Sequence, residues 1–177
     1  ESPLDLVLAP ALLKGARMDL VVEKATELGV GRIAPILCRH AIGHRAPVDR
    51  WKRIALAAAK QSGRTRLPVI DAPRPLAELL ETPGPGLRVL AWEAEPARRL
   101  ADLPPEATAV VIAVGPEGGF DAEEVEAARA YGAHLIPAHE LHDVGEGQVA
   151  QGALERHGTV RTIAARGGGL NLPGGAS

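Results

Sequence analysis

Three glycines, a proline and a carboxylate stand together in VGPEGGF (114–120), directly after the apolar run TAVVIA (108–113). Gly115, Gly118 and Gly119 can take positive φ and let a ligand come close to the backbone. Free N–H groups in such a loop, and at the amino end of the acidic helix-forming stretch that follows, suit polar or anionic ligand groups. The loop is not a phosphate-binding loop of the common kind: it matches neither G-x-x-x-x-G-K-[ST] nor G-x-G-x-x-G, and it has no lysine. Glu117 would repel phosphates but could tolerate a cationic ligand, or could fix the loop by accepting backbone N–H bonds. A tight turn without a ligand is the plain alternative.

A second group of residues is basic. Residues 39–66 hold Arg39, Arg45, Arg50, Lys52, Arg53, Lys60, Arg64 and Arg66 against the single acid Asp49. The segment is therefore +7 in a chain of net charge −2, which leaves −9 for the remainder. A basic zone on an acidic chain is an electrostatic footprint for a polyanion, with a solvated helix face as the bland reading. His139, His142 and His157 match no zinc spacing and have no cysteine partners, so no metal is expected. Cys38, beside Arg39 and His40, could be a reactive thiol; a lone buried cysteine is the plainer reading. Lys24 and Glu27 read as helix-surface pairs rather than as chemistry.

The elements that must position these residues follow from hydrophobic periodicity. LDLVLAP (4–10), RIAPILC (32–38), 67–70, 87–92, ATAVVIAV (107–114) and AHLIP (133–137) read as strands. Pro35 makes the second an edge or irregular strand. The apolar density of 107–114 marks a central strand of a parallel sheet. RMDLVVEKATELG (17–29) sets Met18, Val21, Val22, Ala25 and Leu28 on one helical face. PVDRWKRIALAAAKQSG (47–63) turns Trp51, Ile54, Ala55 and Ala58 inward. PLAELLE (75–81) and DAEEVEAARAYG (121–132) are further helices, the last with Asp121 and Glu124 in capping-box spacing. Strands separated by helices give an α/β fold with a mostly parallel sheet and flanking helices.

The chain has 177 residues, room for one ordinary domain, and 46% of them are apolar, enough for a sizeable core. Aromatics are only 2%, so that core is built from Ala, Leu, Val and Ile. A single cysteine excludes an internal disulfide. No apolar run approaches the length of a membrane span, and the first residues carry no signal-peptide pattern. A cytoplasmic protein is the default expectation. The Gly-rich end, 167–177, reads as a flexible tail.

KGARMDLVVEKATELGVGRIAP (14–35), AAAKQSGRTRLPVI (57–70) and VGPEGGFDAEEV (114–125) occur in that order. Together they resemble the bacterial family that methylates N3 of one uridine in 16S ribosomal RNA, of the SPOUT class of methyltransferases. The likeness covers about 4–137, within a domain of 1–166. It implies a trefoil-knot domain that binds S-adenosyl-L-methionine, pairs as a homodimer, and acts on 16S ribosomal RNA or a small-subunit particle. It also implies an N-terminal RNA-binding domain that this sequence lacks. By this resemblance Gly115, Pro116, Glu117, Gly118 and Gly119 match one cofactor loop, and Leu90, Ala91 and Trp92 the region of another. Gln61 and Arg64, in the Q-S-x-R element, together with Arg50, Arg53 and Lys60, become candidates for RNA contact. Arg64 further suits the stabilisation of charge on the target base, because a guanidinium stays charged and offers several donors. No general base can be assigned.

The sequence departs from the family after Pro137. The family continues with a loop like L-G-x-R-I-L-R-x-E-T-A, which closes the knot and completes the cofactor pocket, and then with a helix. Here AHELHDVGEGQVAQGALERHG (138–158) follows. Either ELHDVGEGQ (140–148) rebuilds the third loop, or the domain is a catalytically impaired cofactor- or RNA-binding module.

Overall fold

Alternate side chains of each long strand enter two separate cores, and this alternation sets the layers of the molecule. Residues 4–41, 43, 45–82, 86–95, 103 and 107–138 are described by the computed structural model. Their elements run β1 (Asp5–Pro10), α1 (Ala16–Glu27), β2 (Arg32–Ile33), β3 (Ile36–Leu37), α2 (Val48–Ser62) and β4 (Val69–Ile70). Then come β5 (Arg74–Pro75), α3 (Leu76–Glu81), β6 (Leu87–Trp92), β7 (Ala109–Val114), α4 (Ala122–Ala130) and β8 (His134–Pro137).

Six strands form one sheet in the order β4-β2-β1-β7-β6-β8, and every pairing in it is parallel. β7 lies inside it, in register with β1 over all six residues from Asp5↔Ala109 to Pro10↔Val114. The central position expected for this strand is what its apolar density requires, since both faces are covered. Val89 and Ala91 of β6, Ile112 of β7 and Ile136 of β8 join Leu6, Met18, Val22, Trp51 and Ala55 on the α1–α2 face. Leu90, Ala113 and Leu135 join Leu76, Leu79, Leu80, Val125 and Ala128 on the α3–α4 face.

The stretch 32–38 does not form the single strand expected of it. Pro35 has no N–H to give a ladder, and the chain splits there. β2 pairs with β1, whereas β3 leaves the main sheet and pairs with β5 in a second, two-stranded one. The strand expected over 67–70 shortens to Val69–Ile70. Helices α1 and α2 keep their expected faces, with Met18, Val22 and Ala25, and Trp51, Ala55 and Ala58, buried. Thr26 is also fully buried, its hydroxyl donating to the Val22 carbonyl at 2.7 Å. Helix α4 starts with the capping box its sequence encodes: the Glu124 N–H donates to Asp121 Oδ1 at 2.8 Å, and the Asp121 N–H to Glu124 Oε2 at 3.0 Å. The knot, the candidate third loop 140–148, the tail and the three histidines 139, 142 and 157 all fall outside the described residues.

Candidate functional site

Parallel strands bring all their carboxyl ends to one edge of the sheet. The strand order turns between β1 and β7, and in open α/β sheets such a switch point is where ligands bind. GPEGGF leaves β7 at that point. Its backbone makes a tight turn, the Gly119 N–H donating to the Pro116 carbonyl at 2.9 Å, and Gly119 sits at φ 69°. The other two glycines answer to close approach. A Cβ on Gly115 would stand 3.1 Å from the Phe120 ring, and one on Gly118 would stand 3.3 Å from His40 Cβ. The N–H groups of Glu117 and Gly118 meet no acceptor among the described residues. Glu117 is not turned back onto the loop: its exposed carboxylate pairs with Arg17 in the first turn of α1.

The neighbouring strand ends close the same corner. Leu90 and Ala91 lie inside the sheet between β7 and β8, and their side chains are buried in the core. The half-buried Trp92 stands at the rim, its ring faced by Arg129 at 5.7 Å. The next residue, Glu93, is exposed, and its carboxyl would be 3.8 Å from a Cβ on Gly119. From β8 the chain returns to this rim, the Ala138 N–H donating to the Trp92 carbonyl at 3.3 Å.

A latch holds the loop from the β3–α2 side. Arg39 pairs with Asp121 at 3.1 Å, its backbone N–H donates to Glu124 at 2.9 Å, and His40 Nδ1 lies 3.4 Å from the Gly119 carbonyl. The Glu124 N–H, and after it Arg39, hold the Asp121 carboxyl below its usual range. The amino end of α4 is thus occupied by its own acids and by Arg39, which removes it as the anion site that the sequence suggested. Cys38, beside this latch, is pushed up to about 12, first by burial and then by Glu124 and Asp121. It remains a protonated thiol near neutral pH and is not the reactive one considered above.

The basic segment divides once its partners are seen. Arg50 is clasped by Asp19, with N···O distances of 2.7 to 3.2 Å, and Arg39 by the α4 acids. Lys52, Arg53, Lys60 and Gln61 are exposed on α2, and the three cations among them pair with no acid among the described residues. Arg64 donates from Nε to the Glu27 carbonyl at 2.9 Å, at the carboxyl end of α1. That end lies beside the start of β1, where the Gly31 N–H bonds to Leu6. Within one chain, Arg64 therefore sits at the amino edge of the sheet, across the molecule from GPEGGF.

Arg17, His40 and Glu93 beside the loop, and Lys14 ahead of α1, carry no role in the sequence analysis, where Arg45 counts only towards the basic segment. Arg17 and Lys14 fall within 14–35, but only the strand-to-helix position of that stretch marks them as edge residues. Among the described residues no group of three or more His, Cys, Asp or Glu side chains is placed to hold a metal. Nor is any described helix long and apolar enough to cross a membrane.

Residues 1–139 match the family model described as RNA methyltransferase domain. The ribosomal RNA small subunit methyltransferase E of Mesomycoplasma hyopneumoniae is 32% identical over 137 residues, 74% of this chain and 60% of that protein. The chain spans roughly half to three fifths of the length of the curated relatives first matched, 60%, 46% and 52%. Two solved structures share its fold at a TM-score of 0.73. One is the small subunit methyltransferase E of Neisseria gonorrhoeae bound to S-adenosyl methionine, 26% identical, covering 92% of this chain and 68% of that one. The other is a methyltransferase of Legionella pneumophila in complex with the same cofactor, 27% identical, covering 96% and 69%. With the family model spanning all the described residues, the chain belongs to the RNA methyltransferase domain family.

Proposed function

We propose that this domain methylates N3 of a uridine in 16S ribosomal RNA, using S-adenosyl-L-methionine held at the GPEGGF corner. The observation that carries the reading is a glycine loop at the carboxyl end of β7, at the switch point of a sheet whose family is RNA methyltransferase. The residues present fit the cofactor. Glu93 is an exposed carboxylate beside the loop, suited to a sulfonium or ammonium group, while Glu117 within the loop is held by Arg17. The N–H groups of Glu117 and Gly118 suit its polar atoms, and Trp92 offers an aromatic rim.

When bound, the cofactor supplies an electrophilic methyl on sulfur. The chain's task is then placement. The loop must hold donor and ring nitrogen in line at near-contact distance, which can lower a barrier by about 7–11 kcal/mol. An imide nitrogen becomes a good nucleophile only as its proton leaves, and the resulting charge spreads onto the carbonyl oxygens of the base. A guanidinium near those oxygens would stabilise it. Arg17, paired to the loop's own Glu117, is a guanidinium that one chain brings there. Arg64 is at the opposite edge, so it could take that role only across an interface with a second copy.

The proposal therefore includes a homodimer, and sedimentation at high micromolar concentration is expected to give the dimer mass. A monomer would remove Arg64 from the chemistry. The activity itself is tested with methyl-labelled cofactor and small-subunit particles or 16S RNA lacking the modification, followed by nucleoside analysis. Label in N3-methyluridine is expected. Cofactor binding by calorimetry without transfer would instead leave a binding module, and absence of both would sink the reading.

A further inference from the structure

Beside the glycine loop, and separate from it, the structure carries a cavity of about 550 Å³. It lies where β1 runs into α1 and where residues 45–47 run into α2. Its floor is apolar, with Leu13, Met18 and the edge of the buried Trp51. Its charged lining is Lys14, Arg45, Arg50 and Asp19. Asp19 is neutralised by Arg50, which grips it with both Nε and a terminal nitrogen. Lys14 and Arg45 are exposed and pair with no acid among the described residues. The net charge of the lining is thus +2, on the side of the cavity open to solvent.

We propose that this cavity binds one nucleotide of the RNA substrate, with its phosphate against Lys14 and Arg45 and its base over Leu13 and Met18. The inference rests on the RNA methyltransferase reading and deepens it. The volume is in the range of small-molecule sites, which combine an apolar body with a few placed polar groups. A phosphate needs cationic donors and a base needs apolar surface to lie against; the lining supplies both, in Lys14 and Arg45 and in Leu13, Met18 and Trp51. The amino-terminal turns of α1 and α2 add to this, because Gly15 and Pro47 border the cavity and neither helix has a side-chain cap. No residue of 115–119 lines it, so the reacting atom is not here, and the nucleotide held is a neighbour of the one methylated. Arg17 fits that arrangement: it stands between the cavity-lining Ala16 and Met18 on α1 and pairs across to Glu117 of the loop. A strand passing from one site to the other has only this turn of helix to cross.

The two tryptophans make the test selective. Trp51 lines the cavity and Trp92 stands at the rim of the methyl-donor corner, so the indole ¹⁵N–H resonances of the labelled full chain report one site each. Trp92→Phe assigns them. Titration with uridine 5′-monophosphate is expected to move the Trp51 signal saturably, with half-saturation on the order of 1 mM. Uridine and inorganic phosphate, each alone at matched ionic strength, should move it far less. Lys14→Ala and Arg45→Ala should each weaken the nucleotide response by about tenfold, as loss of one charged hydrogen bond does, with the Trp92 signal unmoved as evidence of an intact fold. A still Trp51 signal overturns the proposal. So does an equal response to inorganic phosphate, which would mean a bare anion site, or an unchanged response in both variants. S-adenosylmethionine in a separate titration moves Trp92 if the methyltransferase reading holds. Failure of that arm alone condemns that reading and leaves the nucleotide cavity standing, so the two failures are distinguishable.

Discussion

A Gly119→Val protein is expected to bind S-adenosyl-L-methionine at least about tenfold more weakly, a loss of about 1.4 kcal/mol, while its sheet stays intact. Gly119 sits at φ 69°, which a β-branched residue adopts only with strain. Its N–H closes the Pro116 turn, so relief of that strain must reopen the turn and move the Glu117 and Gly118 N–H groups off their present line. The added side chain also stands against the Glu93 carboxyl, 3.8 Å from where the Cβ would be. The same change therefore disturbs donors and carboxylate together. The sheet is spared because β7 ends at Val114, five residues earlier, and is held on both sides by β1 and β6. Titration calorimetry on the folded variant, with circular dichroism as the check of folding, gives the result. Parent-like affinity would remove this loop from the cofactor site. Gly118→Ala is the milder companion: its Cβ would press on His40 at 3.3 Å, so the smaller loss expected there measures how much the latch contributes.

The order of layers was legible because it depends on period and punctuation alone. The run 107–114 is apolar on both faces and became the strand flanked by β1 and β6. Asp121 and Glu124 are three apart in a good N-cap context and made the capping box. The stretch 32–38 shows what periodicity cannot give. Ile33 and Ile36 are both fully buried and enter opposite cores, as a continuous strand would also have them, yet they belong to different sheets. What separates them is the backbone of Pro35, whose missing N–H was visible, and the partner β5 at Arg74–Pro75, which was not.

The site was legible by position more than by residue type. In an all-parallel sheet each strand-to-helix turn falls at the carboxyl edge and each helix-to-strand turn at the amino edge. GPEGGF is the first kind of turn, and it stands where a ligand loop should. Gln61, in the last turn of α2, and Arg64, between α2 and β4, stand at the second kind, and Arg64 accordingly bonds the far end of α1. Lys14, between β1 and α1, and Arg45, between β3 and α2, belong to the first kind, and both line the cavity. Connectivity, applied to the basic residues one by one, separates them where a summed charge over 39–66 does not. Which cations are already neutralised, as Arg39 and Arg50 are, depends on acids 82 and 31 residues away in sequence, which only the fold brings beside them.

That sorting changes which substitutions should abolish RNA binding. Reversing Lys52, Arg53 and Lys60 to Glu is expected to cost about a hundredfold in affinity for ribosomal RNA at low salt and to flatten the salt dependence. Each phosphate neutralised by a cation releases condensed counterions, so removing three contacts lowers the log–log slope by roughly 2 for a single strand. Arg50 is left out because it is held by Asp19; a carboxylate there would face Asp19 directly and unsettle α1 against α2 rather than test RNA. The chosen three are exposed, while the buried face of α2 is Trp51, Ala55, Ala58 and Ala59, so the core is not touched. Helix α2 should persist. Glu at 52 and 53 lies beyond the first turn, where the helix-end effect has faded, and Glu at 60 lies in the last turn, where negative charge costs only about 0.3–1 kcal/mol. Cofactor binding should be parent-like, because none of the three lies at the carboxyl-edge loops. Filter binding across a salt series, with calorimetry for the cofactor, reads both. An unchanged slope in a folded variant would make α2 a solvated face and place the phosphate contacts elsewhere. Loss of cofactor binding as well would mean that the helix was disturbed rather than its charge.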